Sequence, residues 1–316
     1  MRVGVVFPGQ GSQVVGMGVD AARQYPAAAD CFRAARTVLG YDLLTLCEQG
    51  PDERLRETRY SQPAIFVVNV ALYRAVGPAL APVVAAGHSF GELCALTIAG
   101  SMTFETALAL VNERGLAMQR AADLAPGAMA AILGLSPALV HEAVNEAVAQ
   151  GAGRVQLANF NAPGQIVISG DAEAVRVAGE IAADKGAKRV ITLNVSGAWH
   201  STLMDPAAAE YAPHVHAATI VPPSAMTVVS NVDAQAYGTD VERIKTNLVR
   251  SVTDEVRWHD AAVAMVAQGL DLVVEFGASA VLGPMFRRID GAPKAISVTD
   301  AAGVEKLRAQ LAPASV

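Results

Sequence analysis

Short runs of mainly β-branched residues alternate in this chain with long alanine-rich stretches, and this alternation restricts the possible folds more than any other feature. VGVVF at Val3–Phe7, PVVAAG before His88 and LDLVVEF at 270–276 are typical of buried strands, whereas the stretches between them have the length of helices. Such an alternation produces a mainly parallel sheet that is covered by helices. The sequence therefore predicts an α/β fold.

The alanine-rich stretches also carry signals for helix ends. We expect helices over Ala21–Leu39, over Gln62–Ala79 and from Phe104 to about Arg120. Pro63 suits the first turn of the second helix, where a residue has no backbone hydrogen bond to lose. Thr103 can cap the third helix through its side-chain oxygen.

The pattern changes in the middle of the chain. Two strands that flank a turn at Pro163 are preceded by a strand and a helix, and are followed by a helix and a last strand at Arg189–Val195. The resulting order, βαββαβ, is typical of ferredoxin-like domains. We therefore predict a ferredoxin-like subdomain at 126–198 that is inserted into a core formed by 1–125 and 199–316.

The composition excludes several classes of protein. Hydrophobic residues make up 52% of the 316 residues and charged residues 17%, which is too apolar for a disordered chain. The net charge of −6 argues against broad nucleic-acid binding, which needs a basic surface. The uncharged stretch Leu124–Val140 is too short for a membrane span, and the N-terminus lacks a signal-peptide pattern. We therefore expect a cytoplasmic globular protein.

The cysteines and the paired histidines do not suggest a metal site. The three cysteines have no CxxC spacing and are odd in number, so we expect reduced thiols. His214 and His216 have no HExxH sequence around them, and we interpret them as a surface turn after Pro213.

The sharpest chemical motif is Gly87-His88-Ser89-Phe90-Gly91, a G-x-S-x-G sequence between a predicted strand and a predicted helix. This is the setting of a nucleophile elbow, in which glycines permit a strained turn that exposes the serine hydroxyl. The N–H of Phe90 would then face an oxyanion on the attacked carbonyl. The motif predicts Ser89 as a nucleophile at the edge of an α/β-hydrolase-like core.

A serine nucleophile needs a base, and three histidines are candidates. His88 is adjacent in the turn, but its side chain would point away from the Ser89 hydroxyl. His259 follows Trp258 on a predicted helix. His200 lies in SGAWHS, a loop of small residues after the last strand of the insert, where it can face a cleft between two domains. Local features favour His200 and leave the other two open.

A polar glycine-rich loop, FPGQGSQ at 7–13, follows the first strand. It has no lysine and does not fit the spacing of a P-loop or of a dinucleotide-binding loop. An amide on a tight loop can donate a hydrogen bond to an oxyanion, which suits Gln10. An ordinary connection between a strand and a helix explains the loop equally well.

Three motifs in one order, FPGQGSQ at 7–13, GHSFGE at 87–92 and GAWHS at 197–201, resemble the malonyl-CoA:acyl-carrier-protein transacylases. This family includes the acyltransferase units of polyketide synthases. Further matching segments extend the resemblance from Phe7 to about Arg288, which is nearly the whole chain.

The resemblance implies a ping-pong acyl transfer through an ester of Ser89, with His200 as general base and then general acid. Gln10 and the Phe90 N–H would hold the oxyanion, and a main-chain carbonyl at Ser251 would orient the imidazole. The acceptor would be the phosphopantetheine thiol of an acyl carrier protein, and the enzyme would need no cofactor of its own.

The resemblance also implies a substrate pocket. Arg114 matches the arginine that pairs with the free carboxylate of the substrate, for which a planar guanidinium is well suited. On the local pattern alone, an arginine whose stem covers the core is the simpler interpretation. Gln62 would line the same pocket. Trp199 stands where malonyl-using members carry Phe, and its large ring would leave little room for a methyl branch.

Alternatives remain at this stage. A stand-alone polyketide synthase acyltransferase needs the same residues, and a non-catalytic binding subunit could retain the fold. A serine esterase or thioesterase also carries G-x-S-x-G, but it places its histidine late in the chain, where His259 lies. The expected partners are malonyl-CoA and the carrier protein, with no nucleic acid and no membrane, and we expect a monomer. Arg287-Arg288 is a candidate contact patch for the carrier, with a solvated helix end as its simpler interpretation.

Overall fold

In the computed structural model of the protein, which describes residues 1–312, nine strands form two separate sheets. The strands are β1 (Val3–Phe7), β2 (Pro82–Gly87), β3 (Ala128–Leu133), β4 (Val155–Ala162), β5 (Gln165–Gly170), β6 (Arg189–Thr192), β7 (Thr227–Val229), β8 (Leu272–Phe276) and β9 (Lys294–Val298). The larger sheet is parallel and has the order β7-β2-β1-β8-β9, whereas the smaller one is antiparallel and has the order β4-β5-β3-β6. The predicted α/β class, with a mainly parallel sheet and a separate small sheet, is confirmed.

Fourteen α-helices occur in residues 1–312, together with a short 3-10 helix at Thr202–Met204. The α-helices are α1 (Val19–Gln24), α2 (Pro26–Leu39), α3 (Leu43–Gln49), α4 (Asp52–Arg56), α5 (Thr58–Val76), α6 (Gly91–Ile98), α7 (Phe104–Leu124), α8 (Pro137–Ala149), α9 (Ala172–Asp184), α10 (Asp205–Ala217), α11 (Val241–Arg250), α12 (Trp258–Val266), α13 (Gly283–Phe286) and α14 (Ala301–Leu311). Within this part of the chain, no helix is both long and apolar enough to cross a membrane.

Two of the predicted helices differ from the observed ones. The stretch Ala21–Leu39 forms two helices, because Pro26 begins a new helix after an extended residue. The second predicted helix begins at Thr58 rather than at Gln62, so Pro63 lies inside α5 and not in its first turn. Apolar side chains are buried along the whole of α5, and this packing outweighs the backbone hydrogen bond that the proline removes.

The parallel sheet determines where the chemical motifs meet. Its central strand is β1, with β2 and β8 as neighbours, and Phe7 pairs with Gly87 where β1 and β2 end. The loops that follow the two strands are therefore adjacent at the carboxyl edge of the sheet, where ligands bind in open α/β folds. Helices α5 and α6 pack against one face, and α12 and α13 contact the strands on the other.

The small sheet has a core of its own. Helices α8 and α9 cover it, and Ile132, Val144 and Ile168 belong to an apolar cluster that is separate from the larger core. Met129 and Val167 belong instead to the larger core cluster. The last strand, β6, ends at Thr192, earlier than predicted, and the chain then continues towards the core.

Main-chain hydrogen bonds join the small sheet to the core. The N–H of Phe160 donates to the carbonyl of Val256 at 2.8 Å, and the N–H of Val256 donates to the carbonyl of Ala158 at the same distance. Strand β4 is therefore paired with the segment between α11 and α12.

Candidate active site

Ser89 occupies a tight turn between the end of β2 at Gly87 and the start of α6 at Gly91. Its φ of 54° lies in the left-handed region, which residues other than glycine rarely adopt. A Cβ atom on Gly87 would overlap with the backbone of Gly91, and one on Gly91 would overlap with the carbonyl of Phe7. The turn therefore requires both glycines, and it holds Ser89 at the carboxyl edge of the sheet.

The hydroxyl of Ser89 is paired with a histidine. Ser89 Oγ lies 2.9 Å from Nε2 of His200, and Nδ1 of the same ring lies 3.1 Å from the carbonyl oxygen of Asp254. Because a carbonyl can only accept, Nδ1 carries the proton, and Nε2 is free to accept the hydrogen of the serine hydroxyl. This is the tautomer that a general base needs.

The surroundings of His200 keep its imidazole neutral. Burial is the largest cause, and the charge of Arg114 acts in the same direction, so that the pKa of His200 is lowered to about 3. The imidazole is therefore uncharged at neutral pH. When it takes the proton of Ser89, a second positive charge appears beside Arg114, and this charge needs a compensating negative charge in the site.

The main-chain carbonyl that accepts from Nδ1 of His200 is that of Asp254, and the carbonyl of the predicted Ser251 acts on the same ring, because backbone hydrogen bonding to both residues raises the pKa of His200 against the effect of burial. Helix α11 ends at Arg250, and the turn that follows directs two carbonyls towards the site. The carbonyl of Ser251 accepts a hydrogen bond from Nη2 of Arg114 at 3.0 Å. Both carbonyls thus belong to the site, and that of Ser251 acts on Arg114 as well as on His200.

The guanidinium of Arg114 is buried beside the nucleophile. Its residue is 1% exposed, and Nη2 lies 3.2 Å from Ser89 Oγ, while Nη1 donates to Oε1 of Gln62 at 3.0 Å. Its Nε has no acceptor among the described residues. Burial lowers the pKa of Arg114 to about 10, so the group stays charged at neutral pH. In residues 1–312 no carboxylate lies within 4 Å of this charge.

The two candidate oxyanion donors, Gln10 and Phe90, lie on the loop after β1 and in the turn after β2. The loop that carries Gln10 packs against the turn, because a Cβ atom on Gly9 would lie 3.5 Å from that of Ser89. The side-chain amide of Gln10 donates to Oγ1 of Thr58 at 3.0 Å, so the side chain is already held and its main-chain N–H is the better candidate donor. Within residues 1–312, neither N–H donates to another main-chain group.

A cavity of about 430 Å³ lies between the two sheets, and Ser89, His200 and Arg114 line it. This volume is typical of a pocket for a small molecule. From the core, the lining also includes Gln10, Gln62, Met118 and Trp199. The small sheet and the loop after its last strand contribute Met129, Asn159, Asn161, Val167, Leu193, Asn194, Val195 and Ser196. Phe90 and Ser251 do not line the cavity.

Comparison with known proteins agrees with this geometry. Residues 5–303 match the family model of the acyl transferase domain. The chain belongs to the acyl transferase family. It is 41% identical over 304 residues to the malonyl CoA-acyl carrier protein transacylase of Haemophilus influenzae, a match that covers 95% of this chain and 96% of that protein.

Two further relatives extend the comparison of this acyl transferase. It is 37% identical over 287 residues to the polyketide biosynthesis malonyl CoA-acyl carrier protein transacylase of Bacillus subtilis, with 90% of this chain and 96% of that protein covered. A malonyl-transacylase solved in complex with a holo type II polyketide synthase acyl-carrier protein superimposes with a TM-score of 0.93. It is 39% identical in sequence, and the match covers 98% of this chain and all of that one (100%).

The other candidate histidines of the acyl transferase do not contact the nucleophile. His88 lines the cavity, but its Nε2 pairs with Oδ1 of Asn161 at 2.9 Å. Burial lowers the pKa of His88, so it too is neutral. His259 lies on α12 and does not line the cavity.

Two surface features also have defined positions. His214 and His216 lie near the end of α10 and not in a turn, because the helix continues through Pro213. The prediction of a turn is therefore wrong. Arg287 and Arg288 are exposed and follow the short helix α13, which agrees with a solvated helix end.

Trp199 forms one wall of the cavity. It is 5% exposed, and the edge of its six-membered ring covers Gly197, where a Cβ atom would lie 2.6 Å from Cη2 of the indole. A side chain at position 197 would therefore displace the ring, so the glycine permits this position of the tryptophan.

Sequence reasoning missed one group of residues in the acyl transferase. Glu92 is fully buried in the first turn of α6 and is hydrogen-bonded to Asn231 and Tyr237. A single carboxylate in the otherwise apolar helix segment GELCALTI was the signal that could have identified it.

Proposed function

We propose that this acyl transferase moves a malonyl group from malonyl-CoA to the phosphopantetheine thiol of an acyl carrier protein, through an ester of Ser89. One observation carries the proposal: the buried guanidinium of Arg114 lies beside the nucleophile, and no carboxylate of residues 1–312 pairs with it. A buried charge without a counterion costs several kcal/mol. The carboxylate of a diacid substrate supplies the missing charge.

The position of Arg114 suits a short diacid. Its Nη2 is 3.2 Å from Ser89 Oγ, and its Nε is a donor without an acceptor among the described residues. A planar guanidinium can bind both oxygens of a carboxylate through parallel hydrogen bonds. In a malonyl thioester, one methylene separates the carboxylate from the reacting carbonyl carbon. A carboxylate on Arg114 therefore brings this carbon close to the serine.

In the first half-reaction, the substrate carboxylate offsets the charge of Arg114, which otherwise lowers the pKa of His200. Nε2 of His200 takes the hydroxyl proton of Ser89, and Oγ attacks the thioester carbon. The N–H groups of Phe90 and Gln10 stabilise the oxyanion. The carbon–sulfur bond then breaks, and the CoA thiolate takes the proton from His200. Ser89 is left as a malonyl ester.

In the second half-reaction, the thiol of the carrier protein gives its proton to His200 and attacks the ester carbon. The bond to Ser89 Oγ breaks, and Oγ regains the proton. We propose an acyl carrier protein as the partner because the solved malonyl-transacylase with a TM-score of 0.93 is bound to one. All the residues used here come from one chain, so a monomer suffices. We place the reaction in the cytoplasm, in keeping with the three free, buried cysteines.

We further propose that Trp199 favours malonyl over methylmalonyl groups. Its ring is buried in the cavity wall near the reacting residues, and a branch on the substrate would compete with it for space. A methyl group is worth about 1–3 kcal/mol in such a pocket, so the selection is useful but incomplete.

A serine hydrolase explains the site less well. The esterases that carry G-x-S-x-G orient their histidine with a side-chain carboxylate. Here the partner of His200 Nδ1 is a main-chain carbonyl, and a hydrolase would have no use for Arg114. The same residues serve fatty-acid and polyketide pathways, and the carrier protein decides between these two.

The test is the mass of the intact protein after incubation with malonyl-CoA. We expect the wild type to gain one malonyl group, and Ser89→Ala to gain none. Ser169→Ala is the matched control, because Ser169 is also buried but does not line the cavity. An adduct that persists in Ser89→Ala, or rapid release of malonate without a carrier protein, would overturn the proposal.

A further inference from the structure

Glu92 is a buried carboxylate that the mechanism above does not use. It lies in the first turn of α6, three residues after the nucleophile, and it is 1% exposed. Within the described residues, no lysine, arginine or histidine forms an ion pair with it. A buried carboxylate persists only where hydrogen-bond donors replace water. Its donors therefore indicate its role.

The donors connect Glu92 to the main chain of the nucleophile. The N–H and the Nδ2 of Asn231 each lie 2.6 Å from Oε2 of Glu92, and the hydroxyl of Tyr237 donates to Oε1. The same Nδ2 of Asn231 lies 3.2 Å from the carbonyl oxygen of Ser89. One amide group thus links the carboxylate to the residue whose φ is 54°.

The segment around Asn231 is also hydrogen-bonded to α11, the helix that precedes the turn whose carbonyl orients His200. Asn247 on α11 donates to Oγ of Ser230 at 3.2 Å and to Oδ2 of Asp233 at 3.0 Å. Helix α11 ends at Arg250, directly before the turn whose carbonyls hold Arg114 and His200. The Asn231 segment therefore lies between the nucleophile and the turn that orients the base.

We propose that Glu92 is a positioning residue which, through Asn231, holds the strained main chain of Ser89 and sets its position relative to the turn that orients His200. This inference rests on the function proposed above, in which Ser89 is acylated. Glu92 forms no hydrogen bond with Ser89 Oγ, His200 or Arg114, and its positioning role is exerted through its hydrogen bonds with Asn231 and Tyr237.

The role depends on hydrogen-bond acceptance rather than on charge. Burial raises the pKa of Glu92 to about 7, against the opposing effect of its hydrogen bonds with Tyr237 and Asn231. The group is therefore not held firmly in its charged form. A glutamine at this position presents one oxygen to both N–H groups of Asn231, and the Tyr237 hydroxyl can turn to accept from its amide. A leucine of similar size presents no acceptor.

The experiment measures single-turnover acylation of the full chain by malonyl-CoA, with rapid quenching and intact mass as the readout. For Glu92→Leu we expect the rate at saturating malonyl-CoA to fall about 50-fold, while the concentration for half-maximal rate stays within about twofold, because alignment is lost and binding is not. For Glu92→Gln we expect a rate within about threefold of the wild type, since its hydrogen bonds are retained.

A second variant separates positioning from folding. Asn231→Ala keeps the main-chain N–H that binds Glu92 and removes the side-chain amide that joins Glu92 to the Ser89 carbonyl. We expect it to lower the saturated rate about 10-fold, again without a change in half-saturation. Cys94→Ala is the matched control for a buried change in α6, and its rate should stay within about twofold. Circular dichroism and thermal unfolding establish that each variant is folded.

The outcomes distinguish this inference from the proposed function. A wild type that forms no adduct on Ser89 contradicts the function itself. If the wild type forms the adduct, equal losses in Glu92→Gln and Glu92→Leu, or a change confined to half-saturation, overturn the positioning role. If Glu92→Leu does not fold, an unchanged rate in Asn231→Ala overturns it.

Discussion

The two sheets contribute different kinds of side chain to one cavity. Ser89, His200 and Arg114 come from segments outside the small sheet, and the first two have positive φ angles. The lining residues from the small sheet and its last loop are apolar residues, amides and one serine, and none is charged. The core side therefore carries the proton transfers and the charge, whereas the small sheet gives the cavity its shape. Substitutions on the two sides should change different kinetic quantities.

The largest effect is expected for the base on the core side. His200→Ala should lower the rate of acylation at saturating malonyl-CoA about 1,000-fold, because no other group of residues 1–312 is placed to accept the proton of Ser89. Rapid-quench mass spectrometry measures this rate. His214→Ala, an exposed histidine on α10, serves as the control. A loss smaller than about 10-fold would mean that His200 is not the base.

The next largest effect concerns the charge on the core side. Arg114→Ala should lower kcat/KM for malonyl-CoA about 100-fold and that for acetyl-CoA only a few-fold, since acetyl-CoA has no carboxylate to pair. Steady-state transfer to a carrier protein provides both values. The control is Arg120→Ala, an exposed arginine on the same helix. Equal losses with both substrates would exclude a carboxylate-binding role.

A smaller effect is expected at the tryptophan wall. Trp199→Ala should raise the use of methylmalonyl-CoA relative to malonyl-CoA about 10-fold, because it opens space for one methyl group. Competition between the two thioesters, followed by mass spectrometry of the Ser89 ester, measures the ratio. Trp199→Phe should give an intermediate value. An unchanged ratio would mean that Trp199 does not discriminate between malonyl-CoA and methylmalonyl-CoA.

The small sheet should affect binding only. Val167→Ala should raise the concentration of malonyl-CoA for half-maximal acylation about threefold, and leave the saturated rate within about twofold, because it removes contact and no charge. Val144→Ala, buried on α8 in the core under the same sheet but away from the cavity, controls for lost packing. A large fall in the saturated rate would break the contrast between the two sides.

The smallest effect is expected from pH. Because the pKa of His200 is lowered to about 3, its imidazole is already neutral at pH 5, and kcat/KM for acylation should change less than about twofold between pH 8 and 5. A base with an ordinary histidine pKa near 6.5 would lose about 30-fold over this range. Glu92 takes up a proton near pH 7 but still accepts hydrogen bonds. A tenfold loss per pH unit below 6.5 would contradict the neutral imidazole.

Local patterns were sufficient to predict the α/β class and to select residues that the structure places together. The glycines around Ser89 restrict the backbone conformation of the turn. An arginine flanked by apolar residues on a helix lies on or near the buried face of that helix. Their catalytic and binding roles stay predictions until the experiments above are done. These features are predictable because they depend on a few neighbouring residues.

Features that depend on three-dimensional packing could not be predicted. That Asp254 presents its carbonyl to His200 in addition to Ser251 depends on the shape of a turn, and the direction of a main-chain carbonyl cannot be read from the residue type. The start of α5 at Thr58 depends on burial along the whole helix. The link from Glu92 to Asn231 joins residues that are 139 positions apart.

The pairing between Phe160 and Val256 has a consequence for how substrates come and go. These hydrogen bonds fasten the small sheet two residues from Asp254, whose carbonyl holds the base. A movement that separates the two sheets would break these hydrogen bonds and would also displace the carbonyl that orients the imidazole of His200. We therefore expect the two sheets to keep one relative position during the reaction. The CoA thioester and the pantetheine arm would each enter the cavity end-on, one after the other.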